Sequence, residues 1–229
     1  IGIVVPRTRD DLKALIHIAT EFGVCLTGRG GGTSQNGQTI NQSLVIDNSK
    51  YLNRLVEIDS EKRTCVVEPG IVLDHLNSKI KGTGLWYPVD VSTSSRATIG
   101  GMAGNNSCGG RSIRYGMMRD NVTAIAAIMS DGSRARFGDI GTVTPTGLLA
   151  DLQPQLLEMG ARHSQNILDG FPTVLRRVGG YNVDALMPDA MAQRPGGREG
   201  DGINLAHLLV GSEGTLAYSC LLYTSDAAD

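Results

Sequence analysis

The sequence predicts a mixed α+β chain built around ligand-binding loops, and three observations carry that expectation. Apolar residues recur at helical spacing in some stretches and cluster as short strands in others. Two stretches, residues 26–36 (LTGRGGGTSQN) and 99–110, are too rich in glycine to be packing elements. After the first of them comes a strand, where a dinucleotide-binding βαβ unit would place a helix.

The run Gly30, Gly31, Gly32 is the centre of the reading. Glycine loses the most conformational freedom on folding, so three in a row imply unusual backbone angles or a close approach. With Arg29 before them and Thr33 and Ser34 behind, their N–H groups form a concave nest of donors for an anion, best a phosphate or pyrophosphate. Taken alone the loop also reads as a flexible surface connection. The second glycine-rich stretch favours ligand binding.

Composition narrows the function classes. A chain of 229 residues, 41% hydrophobic and 19% charged, suits one globular domain with lobes or one and a half ordinary domains. A net charge of -2 offers no general attraction to nucleic acid or anionic lipid. Aromatics at 4% leave few platforms for base stacking. No apolar run reaches the roughly 18 residues of a membrane span. Cys25, Cys65, Cys108 and Cys220 form no CxxC pair, so neither a metal site nor a disulfide framework is expected, and a reducing cytoplasm fits. Cys25 and Cys65 read as buried, inert thiols. The chain opens at Ile1 without Met inside an apolar stretch, so the native start is expected upstream.

In order, a strand ends before Pro6, and Thr8 with Asp11 makes a capping-box start. Leu12, Leu15, Ile16, Ala19 and Phe22 then mark one helix face, which Gly23 ends. A strand at 24–27 runs into the glycine loop. Residues 33–42 are polar and non-helical, and no third glycine completes GxGxxG, which argues against a Rossmann unit. Strands follow at 43–47, 54–59 and 63–68, the last two as a hairpin. A helix is expected at 72–80 with His75 and Asp74 on its solvated face, then an apolar corner at Trp86, Tyr87 and Pro88. Residues 90–119 lack apolar periodicity and read as a ligand-ordered stretch. Val122 to Met129 and Ser133 to Phe137 read as a hairpin across Asp131-Gly132. A helix interrupted by Pro154 is expected at 147–159, a solvent loop at 193–202, and an apolar strand at 203–210 that delivers the GSEGT turn.

Several motifs stand in a telling order: PRT at 6–8, RGGGTS at 29–34, EPG at 68–70, YPVDVSTSSRATIGGMAGNNSCG at 87–109, RYG at 114–116 and GSEGTLA at 211–217. Together they resemble the FAD-binding PCMH-type domain of the vanillyl-alcohol-oxidase fold. The similarity is greatest to the D-lactate, glycolate and D-2-hydroxyglutarate dehydrogenase family, and within it to large members with cap and iron–sulfur domains. The resemblance implies a two-lobed α+β fold with FAD between the lobes. It implies a domain over 1–217, with lobe one over about 1–86 and lobe two over about 87–217. Past GSEGTLA the text YSCLLYTSDAAD leaves the family pattern, so 218–229 are expected to be a non-native or truncated tail.

Position by position, the resemblance implies that Arg29, Gly30, Gly31, Gly32, Thr33 and Ser34 hold the pyrophosphate. Pro88, Asp90, Ser94 and Thr98 would line the second edge of the cofactor. Gly100, Gly101, Ala103, Asn105 and Asn106 would sit beside the diphosphate and flavin ring, with Glu213 and Gly214 near the adenosine or ribityl end. Covalent members carry a His where Thr33 stands, so FAD is expected to be non-covalent. Arg176, Arg177 and Tyr181 would lie near a substrate carboxylate, for which arginine's planar fork is suited; a surface-pair role for either arginine is the competing reading.

The implied function is oxidation of a D-2-hydroxy acid by hydride transfer to flavin N5. Electrons would pass to a quinone, cytochrome or iron–sulfur carrier, in the cytoplasm or at the periphery of the inner membrane. Any iron–sulfur cluster would belong to sequence beyond this chain. No residue reads as the catalytic base, since His17, His75, His163 and His207 are scattered. Competing readings are an NADPH-dependent cell-wall precursor reductase, an alditol or aldehyde oxidase on the same fold, or a non-catalytic nucleotide-binding or electron-transfer module.

Overall fold

The computed structural model describes residues 2–172, 174, 176–187 and 202–228. The solvent loop expected at 193–202 lies outside them but for Gly202.

The chain begins with a small parallel sheet. Strands β1 (Gly2–Val4), β2 (Leu26–Arg29) and β3 (Leu44–Asp47) lie in the order β1-β3-β2. Helix α1 (Arg9–Phe22) makes the crossover from β1 to β2. Its ends follow the sequence. The Thr8 hydroxyl accepts from the Asp11 N–H while the Asp11 carboxylate accepts from the Thr8 N–H, and Gly23 closes the helix at φ 63°. Leu12, Leu15, Ile16 and Ala19 are buried, whereas Phe22 is 69% exposed. The strand expected at 24–27 starts two residues later, at Leu26.

The larger sheet is antiparallel, in the order β4-β5-β9-β7-β8. It takes β4 (Leu55–Asp59) and β5 (Thr64–Val67) as one hairpin and β7 (Val122–Ile128) and β8 (Arg134–Phe137) as the other. Between them runs β9 (Tyr218–Ser225), paired with both β5 and β7. Two features of the expected lobes therefore shift. The 55–67 hairpin belongs to the second sheet and not to a first lobe reaching residue 86, and the sheet continues past Ala217 through Ser225.

Helix α2 (Leu73–Ile80) buries Leu73, Leu76 and Ile80 and leaves Asp74 and His75 exposed. A short β6 (Leu85–Trp86) pairs with β10 (Ala227–Ala228). The irregular stretch at 90–119 contains three short helices, α3 (Ile99–Gly104), α4 (Ser112–Tyr115) and α5 (Met118–Asn121). Helix α6 (Leu148–Arg162) runs straight through Pro154, and α7 (Ser164–Gly170) follows. The strand expected at 203–210 is instead a turn of helix, α8 (Ala206–Leu209). The run is buried on all sides, so apolar content could not set its period. The Asn204 side chain decides by accepting from the Ala206 N–H at 2.9 Å.

One core fills the space between the large sheet and α2, α3, α6 and α8. A second joins α1 to the small sheet and includes Ile128 and Cys220 of the large one. Burying a side chain such as Leu12 contributes about 1.5–3 kcal/mol, so α1 fixes the two sheets relative to each other. That packing sets the distance across which the loops face.

Candidate functional site

The loops leaving β2, the segment around α3 and the turn after α8 line one cleft of about 770 Å³, within the ~300–1,000 Å³ range of ligand pockets. Of the residues singled out in the sequence, Arg29, Gly30, Gly31, Gly32, Thr33 and Ser34 lie on one wall. Thr98, Gly100, Gly101 and Asn105 lie on the second, and Glu213 and Gly214 on the third.

The first wall is an open donor loop. Among the described residues, the amides of Gly30 to Ser34 donate to no protein acceptor. Gly32 has φ 63°, and a Cβ there would stand 2.6 Å from Arg29 Nη2, so the guanidinium folds over the loop. Arg29 makes no ion pair among the described residues. Free amides with an uncommitted cation above them form a site for a polyanion.

The same glycines also permit the two walls to touch. A Cβ on Gly30 would lie 1.9 Å from Thr98 Oγ1, and one on Gly31 would lie 2.1 Å from the Arg96 carbonyl oxygen. Thr98 is buried and caps α3 by accepting from the Gly101 N–H at 3.3 Å.

The second wall is different. The Gly100 N–H donates to the Pro69 carbonyl at 2.8 Å, and a Cβ on Gly100 would lie 2.5 Å from Pro69 Cβ. Gly100 therefore serves close packing. Gly101 meets only Thr98 Oγ1, at 3.1 Å from an added Cβ.

Several expected site residues stand elsewhere. Ala103 is buried behind the wall, where its carbonyl accepts from the Gly211 N–H. Asn106 is fully buried at φ 52°; its Oδ1 accepts from the Arg119 N–H, and its Nδ2 donates to the Arg177 carbonyl. Asp90 accepts from the Arg111 N–H at 2.9 Å and lines, with Ser94, a second hollow that includes one face of α2. Pro88 is buried and lines neither hollow.

The expected substrate residues are tied up within the protein. Arg177 and Arg119 share Asp184, at 2.7 and 2.8 Å, and both donate to Asn182 Oδ1. Asn182 in turn donates to the carbonyls of His207 and Val210. Two largely buried guanidiniums on one carboxylate are a structural knot, which accounts for Arg177. Arg176 donates to the Gly109 carbonyl, and the Tyr181 hydroxyl bonds Thr215 Oγ1 at 2.7 Å. None of the three lines the cleft.

Other cleft residues were not marked by the sequence. Gln38, Asn48 and Tyr218 line it, and the Tyr218 hydroxyl donates to Asn48 Oδ1 at 2.9 Å. Burial pushes the Tyr218 hydroxyl pKa up. Glu213 is the one carboxylate in the lining, and desolvation raises its pKa while the Gln38 amide opposes the rise. Cys25 is exposed, not buried, and lines the cleft; Cys65 is buried as expected. Burial drives the thiols of Cys65 and Cys220 up to about 12. No histidine lines the cleft, and among the described residues no cluster of His, Cys, Asp or Glu could hold a metal.

A two-lobed α+β domain with an anion-accepting glycine loop in the cleft between its sheets defines a nucleotide-holding domain. Comparison with known families makes that specific: residues 1–138 match the FAD binding domain family, and the chain belongs to it. FAD is the cofactor of that family, and the residues fit it, since the donor loop and Arg29 answer a diphosphate and the cleft is large enough for a dinucleotide.

D-2-hydroxyglutarate dehydrogenase of Pantoea ananatis is 33% identical over 95% of this chain and 21% of its own length. Its Escherichia coli counterpart is 30% identical over the same shares. A glycolate oxidase subunit of Bacillus subtilis is 32% identical over 60% of this chain and 29% of its own. The chain thus spans about a fifth of the dehydrogenases it matches. Two solved structures of alkyldihydroxyacetonephosphate synthase share the fold, each with a TM-score of 0.64 at 19% identity over 99% of this chain and 34% and 31% of theirs. No helix among the described residues is long and apolar enough to cross a membrane.

Proposed function

We propose that this chain is the FAD-holding part of an oxidoreductase that converts a D-2-hydroxy acid, of the D-lactate or D-2-hydroxyglutarate kind, to the 2-keto acid. The observation that carries the reading is the loop of free amides at Gly30 to Ser34 beneath an uncommitted Arg29. The named relatives support the substrate class.

When bound, FAD supplies the hydride acceptor at flavin N5. The amides of Gly30, Gly31 and Gly32 and the hydroxyls of Thr33 and Ser34 hold the diphosphate, and Arg29 balances its charge. Thr98, Gly101 and Asn105 form the opposite wall, and Glu213 and Gly214 the third. Attachment is non-covalent, because Thr33 offers no imidazole. Among the described residues, no histidine lines the cleft, and Glu213 is the one carboxylate there. Electrons leave to a quinone, cytochrome or iron–sulfur carrier. Four free cysteines suit a cytoplasmic setting.

Two measurements test this. The purified chain should take up FAD and turn yellow, yet turn over little; a colourless protein that ignores FAD would sink the reading. Anaerobic titration of the full-length enzyme with D-lactate, D-2-hydroxyglutarate and NADPH should bleach the flavin with a hydroxy acid. Bleaching by NADPH alone would move it to another flavin reductase.

A further inference from the structure

Asn48 directly follows β3, and its N–H donates to the Arg29 carbonyl at 3.1 Å. That bond sets it beside the residue that leads into the glycine loop. Asn48 lines the cleft and is only 8% exposed. Its side-chain oxygen is taken, because Oδ1 accepts from the Tyr218 hydroxyl at 2.9 Å. Its Nδ2 carries two donors and meets no acceptor among the described residues. The unpartnered polar atoms sealed from solvent there belong to Gln38, Trp86, Arg119 and Asp226, and Asn48 Nδ2 is not one of them. The nitrogen therefore opens onto free space, and the space that Asn48 lines is the cleft. A side chain this buried rarely leaves a donor unused, so the donor calls for an acceptor from a ligand.

Tyr218 holds that amide in place. It opens β9 of the large sheet, and its ring lies against Gly28 of β2, where an added Cβ would stand 3.6 Å from Cε2. From there the hydroxyl reaches Asn48, so one hydrogen bond ties the large sheet to the end of β3. Burial raises the phenol's pKa and keeps it a donor at neutral pH. A phenol that donates to Oδ1 fixes which end of the carboxamide faces the cleft.

We propose that Asn48 is a further phosphate-binding residue, whose Nδ2 donates to a diphosphate oxygen of the bound dinucleotide, and that Tyr218 is the positioning residue that aims it. This rests on the FAD reading above and adds a side chain from the strand beside the glycine loop. The loop amides, the Arg29 guanidinium and the Asn48 amide are all donors, with no protein acceptor for the loop amides or for Nδ2 among the described residues. Such a cluster suits an oxyanion with several lone pairs. The carboxamide is neutral, so it adds a directed bond without adding charge.

The test measures binding of FAD, ADP, inorganic pyrophosphate and riboflavin, by flavin fluorescence and by competition. It compares the unaltered chain with Asn48→Ala, Asn48→Asp and Tyr218→Phe, using thermal melts to identify the folded variants. Loss of a hydrogen bond to a charged acceptor corresponds to an affinity roughly tenfold weaker or more. Asn48→Ala should lose about that with FAD, ADP and pyrophosphate and nothing with riboflavin. Asn48→Asp keeps an acceptor for Tyr218 but sets a negative charge beside the diphosphate, so it should bind those three more weakly still. Tyr218→Phe should lose less, and adding it to Asn48→Ala should cost nothing further. Should Asn48→Ala fail to fold, Asn48→Asp and Tyr218→Phe carry the same comparison. Unchanged affinity in a folded Asn48→Ala, Asn48→Asp binding as well as the unaltered chain, or a loss shared by riboflavin overturns the assignment. A loss with ADP that spares pyrophosphate overturns it too, because the acceptor would then lie on the adenosine. If the unaltered chain binds ADP and pyrophosphate but not FAD, the proposed function falls and Asn48 stands or falls on those two ligands; binding none of them removes both.

Discussion

The two glycine-rich stretches resemble each other in composition and differ in where their N–H groups go. In the loop at 30–34 the amides meet no protein acceptor among the described residues, and the Arg29 cation hangs over them. Around α3 the Gly100 amide is spent on Pro69, and Thr98 caps the helix start. We read the first stretch as the receptor and the second as a buttress whose missing side chains let the two walls touch. Glycine content marks both places, and only hydrogen-bond accounting separates their roles.

The largest effect is expected behind the buttress. Asn106 connects it to Arg119 and, through Arg119, to Asp184. Asp184→Ala strands two largely buried guanidiniums, so unfolding in urea should show a loss of about 3–5 kcal/mol. Next come the glycines themselves. Gly31→Ala and Gly100→Ala each force a collision, with the Arg96 carbonyl and Pro69 respectively. Each should lower stability by about 1–3 kcal/mol. Only Gly31→Ala should also weaken FAD binding sharply in the folded protein. The reverse result, with Gly100→Ala the one that loses FAD, would invert the contrast.

Arg29→Met removes the uncommitted cation and should weaken FAD about tenfold or more, with a flatter dependence on salt than the parent chain. The smallest effect concerns Glu213. Its pKa lies above the ordinary 4.5 because the cleft desolvates it. The folded state therefore binds the proton more tightly than the unfolded one, and stability declines as pH rises through the window just above 4.5. Glu213→Gln should flatten that decline in a series of thermal melts.

Local rules made much of the fold legible. Thr8, Asp11 and Gly23 bound α1, and Asp131-Gly132 joins β7 to β8. What stayed hidden was non-local. Nothing near 55–67 announces that the hairpin pairs with β9, more than 150 residues later. The helices in 90–119 are four to six residues long, too short to print a periodicity. At the cleft, the glycine loop was readable because glycine has so few other uses in a row. Arg177 was not, because its partners Asn182 and Asp184 acquire meaning only once Arg119 arrives from 58 residues upstream. Gln38 sits in a polar run where any residue could be a solvated one.

Cys25 gives the cleft a built-in sentinel. It is an exposed thiol on the cleft wall, while Cys65 and Cys220 are shut away with thiols at about 12. A maleimide or dithionitrobenzoate reagent should modify Cys25 and the half-buried Cys108 and leave the other two untouched. With FAD in place, the rate at Cys25 should slow while that at Cys108, absent from the cleft lining, holds steady. The chain thus carries both a chemical occupancy gauge and its internal standard.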